Sequence, residues 1–131
     1  MKSANRGTGI YGEDLAADYL KKRRYKLIER NWRFHRDEID IIALQKKIIV
    51  FIEVKLRKSL SFGTPEAAVT FHKKKRIIRA AKAFLAGNRI YGKSITRFDV
   101  IAITPEGEVM HITDAFGVDG YSGLPGYIPS A

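Results

Sequence analysis

Five consecutive apolar residues, Ile48-Ile49-Val50-Phe51-Ile52, constrain this chain more than any other segment. Side chains alternate between the two faces of a strand, so this run offers neither face to water and predicts a central strand covered on both sides. It is followed at once by Glu53-Val54-Lys55 and preceded, across Lys46-Lys47, by a second largely apolar run over residues 38–44 that carries Glu38 and Asp40. A two-residue loop at Lys46-Lys47 makes the two runs a hairpin and pairs Gln45 with Ile48. The same register sets Asp40 opposite Glu53 and Glu38 opposite Lys55. Directly opposed residues share a face, so Glu38, Asp40, Glu53 and Lys55 are expected to stand together. Three carboxylates and an ammonium in one patch are costly to desolvate, and fold stability gives little reason for them. A divalent metal gives one.

Around this hairpin the rest of the chain arranges itself. Residues 10–23 repeat Tyr11, Leu15, Ala16, Tyr19 and Leu20 at helical spacing, with Lys and Arg crowding the last turn, where the helix dipole favours cations. Residues 25–34 alternate loosely and predict a first strand. Thr64-Pro65-Glu66 is a helix start, with Thr as cap and Pro in the first position. The stripe Ile77, Ile78, Ala81, Phe84 and Leu85 carries that helix to about Ala86, and Gly87-Asn88 ends it. Residues 95–103 and 109–113 are the remaining strands. The order helix, three strands, helix, two strands predicts an α/β domain whose mixed sheet is flanked by helices. Residues 1–116 form one domain in this reading, and the Gly/Pro/Ser-rich residues 117–131 form a tail that is mobile or held by a partner.

A chain of 131 residues suffices for one domain with an ordinary core. It has no cysteine, which excludes a disulfide framework, a Cys-based zinc site and a thiol nucleophile. No apolar stretch is long enough to span a membrane, and the start lacks the apolar segment of a secretory signal, so a cytoplasmic location without membrane attachment is expected. The net charge of +10 is spread unevenly. Lys21-Lys22-Arg23-Arg24 with Arg30, Arg33 and Arg36 makes one basic region; Lys73-Lys74-Lys75-Arg76 with Arg79 and Lys82 makes another; beyond Arg97 there is neither Lys nor Arg. Either run alone is equally well a solvated face. The two together favour a polyanionic partner, nucleic acid before others.

Other motifs discriminate less. Gly7-Thr8-Gly9-Ile10-Tyr11-Gly12 spells a dinucleotide-binding fingerprint, but the six mostly polar residues ahead of it are not expected to supply the strand that the motif requires. A flexible lead-in to the first helix accounts for these glycines. Glu13 is locally a carboxylate well placed against the helix dipole, or else a third acidic group reaching the metal site. His35, His72 and His111 lack metal-ligand spacing, and no serine has a base and an acid beside it. Tyr25, Trp32 and Phe34 beside Arg30 and Arg33 could stack on bases, although a strand packing its aromatics into the core explains them more simply.

Several groups of residues together carry a family likeness over residues 6–103. They are Gly12-Glu13 with Ala16 and Tyr19-Leu20; Arg30-Asn31-Trp32-Arg33; Glu38-Ile39-Asp40; and Val50-Phe51-Ile52-Glu53-Val54-Lys55 with Arg57. Phe62-Gly63, Val69 with Lys73, and Phe98-Asp99-Val100 complete the set. The chain resembles the YraN family of small bacterial proteins, and more widely the PD-(D/E)xK nucleases, which include archaeal Holliday-junction resolvases and restriction endonucleases. The resemblance implies a restriction-endonuclease-like core with Asp40, Glu53 and Lys55 in the catalytic site, and it assigns Glu13 the place of a glutamate on the first helix that completes the site. Arg57 and Lys73 match basic positions suited to phosphate. Where the family usually has Gly before the Glu-Ile-Asp triplet, this chain has Asp37, a departure that bears on the entry into the strand and adds charge near the site.

Chemically, Asp40 and Glu53 can supply hard oxygen ligands to Mg²⁺, with Mn²⁺ as a substitute. A metal there acidifies a bound water and screens a scissile phosphate, while Lys55 positions the water or stabilises developing charge. The expectation is a metal-dependent endonuclease acting on DNA rather than RNA, on branched or damaged structures, with phosphates on Arg57, Lys73, Lys74 and Arg76 and a homodimer allowed by the resemblance. The rival is a nucleic-acid-binding module that keeps the fold and turns over nothing.

Overall fold

The computed structural model describes residues 4–58, 69–118 and 126–127. Helix α1 (Ala4–Lys22) leads into strands β1 (Lys26–Phe34), β2 (Asp37–Gln45) and β3 (Ile48–Leu56); helix α2 (Phe71–Gly87) and a 3₁₀ turn at Arg89–Tyr91 precede β4 (Ile95–Ile103), β5 (Val109–Phe116) and a two-residue β6 (Gly126–Tyr127). The sheet runs β1-β2-β3-β4-β5, and β6 pairs with the start of β4. Among the described strands only β3 and β4 are parallel, joined by the crossover that contains α2; the other pairs are antiparallel. This is the α/β architecture expected, a mixed sheet between helices, consistent with a restriction-endonuclease-like core.

The apolar run behaves as its composition demands. Ile49 and Phe51 pack toward α2, with Ile77, Ile78, Ala81, Phe84 and Leu85; Val50 and Ile52 pack toward α1, with Ala16, Ala17 and Leu20. All four strand residues are essentially inaccessible. Burying such side chains stabilises a fold by roughly 1.5–3 kcal/mol each, which makes β3 the spine of the domain.

Several boundaries differ from the expectation. The helix predicted from Ile10 begins at Ala4, so Gly7 and Gly9 are helical and not a lead-in. Gly12 has a packing role: a Cβ there would lie 2.5 Å from Leu56 Cδ2, so α1 passes close to the end of β3. The predicted start at Thr64-Pro65-Glu66 lies outside the described residues. Val69 and Thr70 are not helical, and α2 starts at Phe71, where the Thr70 hydroxyl accepts the Lys73 N–H at 3.1 Å. At the other end the Asn88 side chain donates to the Phe84 carbonyl at 2.8 Å, closing the helix where Gly87-Asn88 was expected to. Of the segment read as a tail, Gly126–Tyr127 returns to the sheet opposite Thr96 and Ile95. Because α2 has no acidic residue in its first turn, Thr70 is its main compensation for orphan N–H groups. Thr70→Ala should lower the unfolding free energy by about 1 kcal/mol, seen in urea as a lower midpoint at unchanged slope.

Candidate functional site

The hairpin register is the predicted one. Gln45 pairs with Ile48 across Lys46-Lys47, Lys46 adopts a left-handed φ of 55°, and the ladder continues to Ile41 opposite Ile52. There it stops. The next two residues in register are Asp40 and Glu53, so the acidic pair sits where β2 and β3 part. The Asp40 Oδ2 accepts the Val54 N–H at 2.8 Å, satisfying a donor just past the end of the ladder. Asp40 and Glu53 are also hydrogen-bonded to each other through their side chains.

A change of facing in β2 accompanies this opening. Ile39 packs in the α2 cluster and Ile41 in the α1 cluster, although strict alternation would put both on one side. The neighbouring strand breaks at the same level: Asn31, between Arg30 opposite Ile41 and Trp32 opposite Ile39, has a φ of 52°. The expectation that Glu38 shares the face of Asp40 assumed unbroken alternation. Instead Glu38 turns to Arg33, its Oε2 3.0 Å from the guanidinium, and acts on the acidic pair only through its charge.

Four elements therefore meet here. β2 brings Asp40, β3 brings Glu53 and Lys55, α1 brings Glu13, and α2 brings Lys73. The Lys73 ammonium is 3.8 Å from Glu53 Oε2, so this lysine, expected at a phosphate, stands beside the acidic pair itself. Glu13 accepts from the Asn31 side chain at 2.9 Å and lies 3.6 Å from Arg30, which is held mainly by Asp14 at 2.8 Å.

The electrostatics follow from burial. Glu53 is 6% exposed. Desolvation, then the Glu53 charge, pushes the Asp40 carboxyl up to about 7. Desolvation also raises Glu53, against the pull of Lys73, the Asp40 hydrogen bond and Lys55. Burial raises Glu13 too, opposed by the Asn31 hydrogen bond and reinforced by Asp40. Burial holds a proton on this pair, and the Glu53 charge and hydrogen bond strengthen that hold at Asp40, so a cation can occupy the site in the proton's place.

The donor set fits Mg²⁺, which takes one or two carboxylates and keeps several waters. Among the described residues no group of three or more His, Asp or Glu is placed to hold a metal ion, so a metal here would rest on the two carboxylates alone. A closed zinc-type cage is therefore not what these residues build.

The remaining basic residues have separate placements. Lys74 lies over the Phe116 ring at 5.5 Å. Arg76 and Arg79 both bind Asp37, at 3.1 Å each, and Arg76 also donates to the Arg36 carbonyl. Arg76 is thus tied to the strand entry, and with its side chain 35% exposed against 60% for Arg79 it is the less available of the two to a phosphate. This also gives Asp37 a role at the position where the resemblance would set a glycine. The left-handed residue of the β1–β2 turn is His35, with a φ of 57°, so no glycine is required at 37. Burial alone would raise the Asp37 carboxyl, but the hydrogen bonds of Arg79 and Arg76 outweigh it and hold it low. Arg57 bonds through its N–H to the Ile103 carbonyl at 2.9 Å, and with Tyr11, Leu56, Lys58, Ile103, Thr104 and Pro105 it lines a pocket of about 160 Å³ beyond Lys55.

One polar cluster escaped the sequence reading. Asp99, with no exposed surface, accepts from Arg97 at 2.8 and 2.9 Å and from the Asp114 N–H at 3.0 Å, and it lies 2.7 Å from His111 Nε2. Arg97 reaches on to Tyr25 and Gln45, and His111 Nδ1 to the Tyr19 hydroxyl. Sequence distance hid the partners of His111. The legible signal was Arg97 and Asp99 two apart, hence on one face, within an otherwise apolar strand.

Comparison with known proteins agrees with the resemblance. The model of the uncharacterised protein family UPF0102 matches residues 12–103, a span that contains Glu13, Asp40, Glu53, Lys55 and Lys73. A UPF0102 protein of Clostridium perfringens (strain ATCC 13124) is 46% identical over 123 residues, covering 90% of this chain and all of its own. One from Caldanaerobacter subterraneus is 43% identical over 123 residues, covering 88% of this chain and all of its own. One from Geobacter metallireducens is 45% identical over 119 residues, covering 88% and 97%. With the family model matching residues 12–103 and relatives 43–46% identical over most of its length, the chain belongs to the UPF0102, or YraN, family.

Proposed function

We propose that this protein is a metal-dependent endonuclease acting on DNA. The observation that carries the reading is the hydrogen-bonded pair of half-buried Asp40 and buried Glu53 at the fork of two strands, with Lys55 and Lys73 acting on it. Without a cation, two such charges side by side destabilise the fold once both are ionised. With Mg²⁺ on these carboxylates the site would supply an acidified water and charge neutralisation at a scissile phosphate. Lys55 and Lys73 would add positive charge for a pentacoordinate phosphorus, and Glu13, whose carboxyl burial raises above its ordinary value, would be the group to take up a proton. The basic regions on α1 and α2 supply the long-range attraction for a polyanion.

The test is cleavage of a labelled four-way junction, a plain duplex and single strands with Mg²⁺, Mn²⁺ or chelator. Cutting is expected with either metal and none with chelator, and the ranking of substrates reports which structure is read. Lys55→Ala should lower the rate by about 10²–10³, the usual loss for one group that stabilises transition-state charge. Binding unaffected by metal, with no cutting of any substrate, would replace the enzyme by a nucleic-acid-binding module. Among the described residues no helix is long and apolar enough to cross a membrane.

A further inference from the structure

Where β1 ends, an aromatic side chain stands at the surface among cations. Phe34 is 42% exposed, although Trp32, two residues earlier, packs edge-on against Phe84 in the core at 5.4 Å. The two rings of Trp32 and Phe34 are nearly parallel, 5° apart in plane with centroids at 6.4 Å, and His35 meets Phe34 edge-on at 4.3 Å. The expectation that these aromatics pack into the core therefore holds for Trp32 and fails for Phe34. Beside Phe34 opens a groove of about 400 Å³ whose other lining residues are Arg79, Lys82, Ala83 and Ala86. The two alanines leave room on the α2 side that a larger residue would fill. Asp37 fixes Arg79 through both carboxylate oxygens while 60% of that side chain stays accessible, and Lys82 is exposed.

We propose that this groove takes an unpaired nucleobase against Phe34, with its flanking phosphates on Arg79 and Lys82. The inference rests on the nucleic-acid reading above and deepens it by naming a substrate class: DNA with single-stranded or splayed bases next to the cut. A base inside a duplex shows only its edges, so an aromatic face and a cationic rim are useful only to a base that has left the stack. An apolar groove alone would equally suit a hydrophobic side chain of another protein; the cations at its rim select a polyanion. Asp37, which anchors Arg79, precedes Asp40 by three residues of strand, about 10 Å. A base held here is within a nucleotide or two of a phosphate at the acidic pair.

The experiment is equilibrium binding in chelator, with the full chain titrated into a fluorescent single-stranded oligonucleotide containing 2-aminopurine and into its duplex. Phe34→Ala should weaken single-strand binding about ten-fold, the size of one lost base stack, and duplex binding by less than about two-fold. Phe34→Trp should retain single-strand affinity and aminopurine quenching, which shows that an aromatic surface, not the fold, is what matters. Equal weakening on both probes, no change on either, or no single-strand binding at all overturns the inference. Because chelator removes the metal, the result is independent of catalysis. Metal-dependent cutting with a strand preference untouched by Phe34→Ala would end this inference and leave the nuclease standing.

Discussion

Asp40→Asn should abolish metal-dependent cleavage, by about 10³-fold or more, if the ion's charge stabilisation of several kcal/mol is lost, and should at the same time make the protein more stable above neutral pH. The asparagine oxygen can still accept the Val54 N–H, and its amide can donate to Glu53, so the hydrogen bonds survive while one buried charge disappears. The sign of the pH effect follows from the displaced carboxyl. Asp40 is raised from 3.8 to about 7 in the fold, so its contribution is complete below about pH 4 and is lost as pH rises through 7. The displacement of about three pH units limits that loss to about 4 kcal/mol, shared with Glu53. Urea midpoints from pH 5 to 8 should thus fall for the wild type and stay flatter for Asp40→Asn; parallel curves would show that the acidic pair is not coupled. Mg²⁺ should raise the wild-type melting temperature more at pH 8 than at pH 5.5, since it must displace a proton at the lower pH. Asp40→Asn should show little of either response.

The largest loss of stability is expected from Asp99. Asp99→Ala leaves the Arg97 guanidinium, whose side chain is 11% exposed, without its carboxylate, and removes the acceptor of the Asp114 N–H. Breaking a buried pair from one side costs about 3–5 kcal/mol, a large part of the stability of a domain this size. Removing both partners in Arg97→Met with Asp99→Leu should cost clearly less than the sum of the single changes, because no orphaned charge remains. Additive losses would mean that the ion pair carries no coupling and that Asp99 matters only for its backbone contact. Burial would raise the Asp99 carboxyl, but the hydrogen bonds of His111 and Arg97 overcome it and hold it low. Its stabilisation is therefore present above the ordinary aspartate range and is lost only as pH falls below about 4.

Both residues show where sequence reasoning reaches its limit. Asp40 was legible because it sits six residues before a two-residue loop whose length fixes the register of both strands, and a local rule sufficed to set it opposite Glu53. Asp99 was not, because the network around it, through Arg97 and His111, draws on α1, the turn before β1, β2 and β5, and no local spacing joins Tyr19, Tyr25, Gln45 and His111. Arg76 lies between the two cases. Its charge was evident, but its commitment to Asp37, 39 residues away, required α2 to be docked on the sheet.

The sequence by itself determined the central strand, the hairpin register, the order of the main elements and the pairing of Asp40 with Glu53, since each follows from alternation, apolar run length or turn size within a short window. The tertiary structure alone decided the facing of Glu38, the exposure of Phe34, the place of Lys73 at Glu53 and the Asp99 cluster. Those depend on how β2 reverses its facing at Asp40 and on which helix covers which side of the sheet. Packing between distant segments fixes both, and no periodicity within a segment records it.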